Sequence, residues 1–200
     1  MSFYTFAKKT LSGLFRILYR LKIEGRENIP ENGGYMVCCN HIALFDPVML
    51  AIAFPHQLHF MVKDEAMKSP FGKMLSSLGC FGVKRGTADR TALRTAMNYL
   101  ENGECLGIFP QGTRKPNVDP KETEPKTGIA MVAYRTGCDV VPVFIKTKKR
   151  KLTPFSKTLV IIGKPIKNAE LEIAAGTAAE YRAATDKVFS EICGLEETGT

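Results

Sequence analysis

Two hydrophobic periods alternate along this chain, one suited to helices and one to strands. Phe3, Tyr4, Ala7, Leu11, Leu14, Phe15, Leu18 and Leu21 fall on one face of a helix running to about Arg20, with Lys8, Lys9, Arg16 and Arg20 punctuating the rest. After the Gly33-Gly34 turn, Tyr35 to Cys39 is a short apolar run that predicts a buried strand. Asp46-Pro47 is a helix start, with Asp at the N-cap and Pro at the first helical position, and the apolar run to Phe54 predicts a helix over 47–54. The same reading gives strands near 57–62 and 80–84, a helix near 70–78, a helix from Ala88 to Leu100 closed by Asn102-Gly103, and a strand from Cys105 to Phe109. Beyond a Pro-rich loop at 116–125 come a helix over Thr127 to Arg135, strands near 139–146 and 158–162, and a helix over about 170–193. Strands alternating with helices predict an α/β fold: a single domain with a central mixed sheet covered by helices, preceded by an N-terminal amphipathic helix. The division expected is residues 1–22 for that helix and 23–200 for the main domain.

Two hundred residues with 44% apolar content suit one globular domain with a substantial core. No stretch approaches the roughly eighteen uninterrupted apolar residues of a membrane span. The six cysteines lack Cys-x-x-Cys spacing, and adjacent Cys38 and Cys39 on a strand point to opposite faces, so no metal is expected. The N-terminus lacks a signal peptide's pattern, which makes reduced cytoplasmic thiols the simplest expectation. A net charge of +8 favours contact with an anionic membrane surface. Nucleic acid is not indicated, because zinc-finger, aromatic RNA-binding and basic-zipper motifs are all missing. The basic, aromatic-rich first helix fits the plane of an anionic membrane interface, although a helix packed on the domain's own core has the same periodicity.

Chemistry enters at Asn40-His41-Ile42-Ala43-Leu44-Phe45-Asp46-Pro47. A histidine takes a proton near neutral pH, and a nearby carboxylate fixes its tautomer and stabilises the cation. Five residues is a poor spacing for a meeting across one straight helix, so the intervening turn must bring His41 and Asp46 together. Such a pair is the base half of a triad, and the nucleophile it serves can be a hydroxyl on a bound substrate.

Three further blocks follow in order: Gly79 to Arg85, then Phe109-Pro110-Gln111-Gly112-Thr113-Arg114, then Val141-Pro142-Val143. Together with Asn40 to Asp46 they resemble the glycerolipid acyltransferases of the 1-acylglycerol-3-phosphate acyltransferase type, over roughly residues 35–145. Residues 23–200 would then be the acyltransferase domain. Gln111 stands where that family usually has Glu; it keeps an acceptor and adds donors but loses the charge, so an ionic role for the position is open. The resemblance implies His41 and Asp46 as the catalytic pair. It further implies that Arg85, Gln111, Gly112, Thr113, Arg114 and Lys126 bind the phosphate-bearing acceptor.

The implied reaction moves a fatty acyl group from acyl-CoA or an acyl-carrier protein to the free hydroxyl of 1-acylglycerol-3-phosphate, giving phosphatidic acid, with no cofactor and no metal. It would run on the inner, cytoplasmic face of the cell membrane, with the protein bound peripherally. Glycerol 3-phosphate or another lysophospholipid is the alternative acceptor, and a noncatalytic lipid-binding protein the alternative class. A hydrolase would need its own nucleophile, and no Gly-x-Ser-x-Gly elbow is present. The basic run Lys146, Lys148, Lys149, Arg150 and Lys151 reads as a solvated loop, or as a contact for headgroups, coenzyme A phosphates or an acidic carrier.

Overall fold

The computed structural model describes residues 3–84 and 89–199. Among these residues seven strands form one sheet: β1 (Leu21–Glu24), β2 (Met36–Cys39), β3 (Leu58–Lys63), β4 (Cys80–Val83), β5 (Cys105–Ile108), β6 (Val140–Thr147) and β7 (Thr158–Ile162). Their spatial order is β1-β7-β6-β2-β5-β3-β4. Only β6 and β7 pair antiparallel; the other neighbours run parallel, so the sheet is mixed, as expected. Strands β2 to β6 therefore end on the same side, where open parallel sheets gather their ligands.

The helices are α1 (Phe3–Leu18), α2 (Asp46–Ala53), α3 (Asp64–Met67), α4 (Gly72–Ser77), α5 (Arg90–Glu101), α6 (Gly128–Thr136) and α7 (Ala178–Thr198). Strand alternation sorts them into two layers. Met36 and Cys38 of β2 pack with Ala96, Ala133 and Phe189 from α5, α6 and α7. Val37 and Cys39 turn the other way, into a cluster with Phe15 of α1, Leu50 of α2 and the adjoining Phe54. Because β2 is covered on both faces, its apolar run is continuous rather than alternating.

Helix α5 shows how local sequence sets a boundary. Asp89 caps it by accepting from the N–H groups of Thr91 and Ala92, and also from Lys84 at the end of β4. Those bonds, Lys84's foremost, hold the Asp89 carboxyl below its usual range. At the other end Gly103 takes φ 78°, and the N–H groups of Glu104 and Gly103 return to the carbonyls of Tyr99 and Leu100.

Several expected boundaries move. Helix α1 stops at Leu18, and Leu21–Glu24 is an edge strand parallel to β7, so the boundary expected at residue 22 falls inside the sheet. The single apolar face expected for α1 is two faces: Leu11, Phe15 and Leu18 pack inward, whereas Phe3 and Leu14 are exposed beside Phe6 and Ile17. Lys8 points to the end of α2, where its Nζ donates to the carbonyls of Phe54 at 2.5 Å and Pro55 at 3.2 Å. Helix α3 occupies a stretch for which no helix was expected. Helix α7 begins at Ala178 rather than near 170, because Thr177 and Glu180 form a reciprocal capping box there.

Candidate active site

His41 lies between the end of β2 and the start of α2, and both neighbours along the chain are anchored. Asn40, 1% exposed, clamps β6: its Nδ2 donates to the Ile145 carbonyl at 3.1 Å and its Oδ1 accepts from the Ile145 N–H at 2.7 Å. On the far side the His41 carbonyl accepts from the Lys115 N–H at 2.7 Å. The His41 backbone thus belongs to two loops at once.

Its ring is held just as closely. Nδ1 of His41 lies 2.8 Å from Oδ2 of Asp46, a residue with 0% exposure. The same oxygen accepts from the N–H groups of Ile42 at 2.7 Å and Ala43 at 2.8 Å. Asp46 was expected at the N-cap; Phe45 occupies that position, and Asp46 is the first helical residue with its carboxylate turned back toward the loop. That turn is what closes the spacing of five. With Nδ1 facing an acceptor, the ring proton sits there, and Nε2 has no hydrogen-bond partner among the described residues.

Phe109 stacks on the imidazole with centroids 4.0 Å apart at 18°. Phe60 backs Phe109 in turn, at 6.1 Å and 17°. Phe60 fits only because β5 has a glycine beneath it: a Cβ at Gly107 would fall 2.1 Å from the Phe60 ring.

The Phe109–Arg114 segment forms a turn around the histidine. Gly112 takes φ 69°, which favours glycine, and its N–H donates to the Phe109 carbonyl. Thr113 and Arg114 are exposed. The Lys126 N–H donates to the Pro110 carbonyl at 2.8 Å, and a Cβ at Gly112 would sit 3.6 Å from its Cγ, so exposed Lys126 joins the same turn. Arg85 lies outside the described residues. Asp89 ties Lys84, the last described residue before it in the sequence, to the start of α5.

Gln111, expected to bind the acceptor, turns its side chain into the protein. It is 4% exposed, and both ends of its amide are engaged within the protein. Oε1 accepts from the His41 N–H at 2.7 Å, while Nε2 donates to Oγ1 of Thr123 at 2.9 Å, whose hydroxyl donates to the Pro120 carbonyl. It is a positioning residue for the His41 backbone. Asn40, Phe109, Lys115 and Thr123 also support the site; apart from motif membership for Asn40 and Phe109, no local pattern marks them.

Cysteine is the remaining candidate for a nucleophile on the chain. Burial, and after it the nearby Asp46 carboxylate, pushes the Cys39 thiol well up, and Cys38 is likewise raised by burial. Neither forms a ready thiolate. Among the described residues no cluster of His, Cys, Asp and Glu has the geometry to hold a metal ion.

A family model described as Acyltransferase matches residues 20–146. The chain belongs to the acyltransferase family. Within that family it is similar to 1-acyl-sn-glycerol-3-phosphate acyltransferase of Bacillus subtilis, 28% identical over 171 residues that make up 84% of each chain. It is also similar to 1-acyl-sn-glycerol-3-phosphate acyltransferase of Borreliella burgdorferi, 29% identical over 62% of this chain and 50% of that one. The crystal structure of the 1-acyl-sn-glycerophosphate acyltransferase PlsC from Thermotoga maritima superimposes with a TM-score of 0.67 at 27% identity, covering 99% of this chain and 83% of that one. This acyltransferase therefore shares the fold of that neighbour, and its own fold is a seven-strand α/β sheet with an N-terminal helix.

Proposed function

We propose that this acyltransferase moves a fatty acyl group from an acyl thioester to the free hydroxyl of 1-acylglycerol-3-phosphate, forming phosphatidic acid. The observation that carries the reading is the buried His41–Asp46 contact, with Nδ1 committed to the carboxylate and Nε2 left without a partner. Nε2 takes the proton from the acceptor hydroxyl as that oxygen bonds to the thioester carbon. The carbonyl π pair moves onto oxygen, giving a tetrahedral oxyanion. When it collapses the C–S bond breaks, and the departing thiolate receives the proton from His41. Asp46 lowers the energy of the imidazolium between these steps. Arg114 and Lys126, exposed on the turn around His41, and Arg85 supply cations for the acceptor phosphate.

The lipid nature of the acceptor fits the surface. Phe3, Phe6, Leu14 and Ile17 make an exposed apolar stripe on α1, with Ile17 74% exposed, and Lys9 and Arg16 are exposed beside it. Leu44 and Phe45, also exposed, belong to the loop between His41 and Asp46, and Phe45 meets Phe15 of α1 edge-on at 5.6 Å. Exposed apolar side chains thus stand both on α1 and on the loop between His41 and Asp46. No helix among the described residues is long and apolar enough to cross a membrane. The stripe lies in the plane of an anionic bilayer on its cytoplasmic face, as a peripheral contact.

Purified protein, a labelled acyl thioester and 1-acylglycerol-3-phosphate test the reading together. The expected product is labelled phosphatidic acid; thioester loss to water alone, or no reaction, overturns it. Arg114→Ala should raise the KM for the acceptor more than for the donor, and equal weakening of both removes Arg114 from the acceptor site. For the membrane contact, Phe6→Ser with Ile17→Ser should lower partition onto anionic vesicles by about tenfold. These two are better probes than deletion of residues 1–22, which would also remove buried Phe15 and half of β1.

A further inference from the structure

The loop joining β6 to β7 lies at the same end of the sheet as His41, because β6 runs parallel to β2 and ends beyond it. Near its tip Phe155 is 71% exposed and takes φ 62°, in the left-handed region. A bulky side chain on such a backbone is uncommon and persists only where the surroundings impose it. Here the Phe155 N–H donates to the Leu18 carbonyl, the Thr158 N–H donates to the Tyr19 carbonyl at 3.1 Å, and the Ser156 N–H closes a turn on the Thr153 carbonyl at 3.1 Å. These bonds satisfy carbonyls left open at the end of α1 and fix where the loop sits. They do not explain an aromatic ring left in water: serine would make the same bonds, and glycine would make them without strain.

The residues around the ring share its character. Leu18, its backbone partner, follows the exposed Ile17 and lies one helical turn beyond the exposed Leu14. Helix α1 also touches the loop between His41 and Asp46, where Phe15 meets Phe45. Lys151 and Lys157 flank the tip of the β6–β7 loop, and Arg16 and Arg20 flank the end of α1; all four are exposed. No Asp or Glu occurs at positions 1–23 or 140–169, so both segments carry cations and apolar groups alone. That combination is complementary to an anionic bilayer, with acyl chains for the apolar side chains and headgroups for the cations.

We infer that the β6–β7 loop is a second bilayer contact, in which Phe155 enters the acyl-chain region beside Leu14 and Ile17 while Lys151 and Lys157 lie among the headgroups. A single helix lying in the interface can still roll about its own axis. An insertion point off that axis fixes the roll, and with it the end of the sheet, His41 included, that faces the lipid. The inference rests on the membrane contact proposed above for α1 and adds the element that orients it.

The chain has no tryptophan, so Phe155→Trp places one fluorescent reporter at the loop in the intact protein. On vesicles of phosphatidylglycerol and phosphatidylcholine its emission should shift to the blue and be quenched by lipids brominated on their acyl chains. Emission unchanged in protein that sediments with the vesicles overturns the inference. So does a blue shift that needs no vesicles and follows protein concentration or added acyl-carrier protein, because the ring then meets a protein surface. Phe155→Ser should lower partition onto the same vesicles about tenfold. In assays of that variant, the KM for acceptor embedded in vesicles should rise severalfold relative to the KM for a short-chain acceptor in free solution; an equal rise for both overturns the role. If Phe6→Ser with Ile17→Ser abolishes binding while the reporter on the wild-type helix stays in water, the loop contact fails and the α1 contact stands. If that α1 variant binds as well as wild type while the reporter is quenched, the α1 contact fails and the loop contact stands.

Discussion

Two buried histidines of this protein each meet a carboxylate and each stack on an aromatic ring, yet they sit at opposite ends of the sheet. His41, past the end of β2, has Nδ1 2.8 Å from Asp46 and lies on Phe109. His59, near the start of β3, has Nε2 2.7 Å from Glu104 and lies on Tyr99, with centroids 3.8 Å apart. The difference is in the second nitrogen. In His59, Nδ1 is also engaged, 3.1 Å from the Gly79 carbonyl, so both ring nitrogens are committed to acceptors. In His41 only one is committed. The carboxylates differ as well: Asp46 is fully buried and braced by two backbone N–H groups, whereas the Glu104 side chain is 44% exposed. A His–carboxylate pair is therefore not enough to mark a base; the uncommitted nitrogen and the braced carboxylate separate the pair proposed as catalytic from the one at His59.

The contrast breaks most easily at the histidines themselves. His41→Ala should lower acyl transfer at least a hundredfold while the protein stays folded. His59→Ala should instead lower the melting temperature, by the cost of leaving buried groups unpaired, about 1–3 kcal/mol, with turnover per folded molecule within a few fold of wild type. Near-normal turnover in folded His41→Ala, or a collapse of turnover in folded His59→Ala, would reverse the assignment.

The carboxylates give a smaller version of the same test. Asp46→Asn keeps the shape but weakens the three bonds gathered on Oδ2 and releases the tautomer, so acyl transfer should fall tenfold or more. Glu104→Gln removes a partly exposed charge and should shift stability by no more than about 1 kcal/mol, read from denaturant midpoints. If the two substitutions have equal effects on turnover, bracing is not what distinguishes the pairs.

Gln111→Glu carries the smallest expected effect. One carboxylate oxygen can still accept from the His41 N–H, and the Thr123 hydroxyl can turn from Pro120 to donate to the other. Acyl transfer should stay within a few fold. A gain of tenfold or more would show that the site is built for a charge this chain lacks.

The strong local signals in the sequence were those with a short-range cause. Asn102-Gly103 closes α5 because glycine takes the left-handed backbone that the helix end needs. The continuous apolar run of β2 reflects a strand covered on both faces, which only a central position allows. His41 and Asp46 were legible because five residues and one turn separate them. The edge strand β1 was hidden: four residues with only Leu21 buried give too short a pattern, and its pairing with β7 spans more than a hundred positions.

By itself, then, the sequence determined the α/β alternation, most of the helices and strands, the pairing of His41 with Asp46 and the four motif blocks, all of them set by local pattern or by order along the chain. The tertiary structure decided what depends on packing between distant segments. It divided the apolar residues of α1 between the core and an exposed stripe, since periodicity defines a face but not what covers it. It turned Gln111 inward, because only the folded chain brings the His41 N–H and the Thr123 hydroxyl to the two ends of one amide. It also separated His41 from His59, for a histidine's chemistry follows from what its second nitrogen meets, and the Gly79 carbonyl that engages His59 lies on a different strand connection, twenty residues away in the chain.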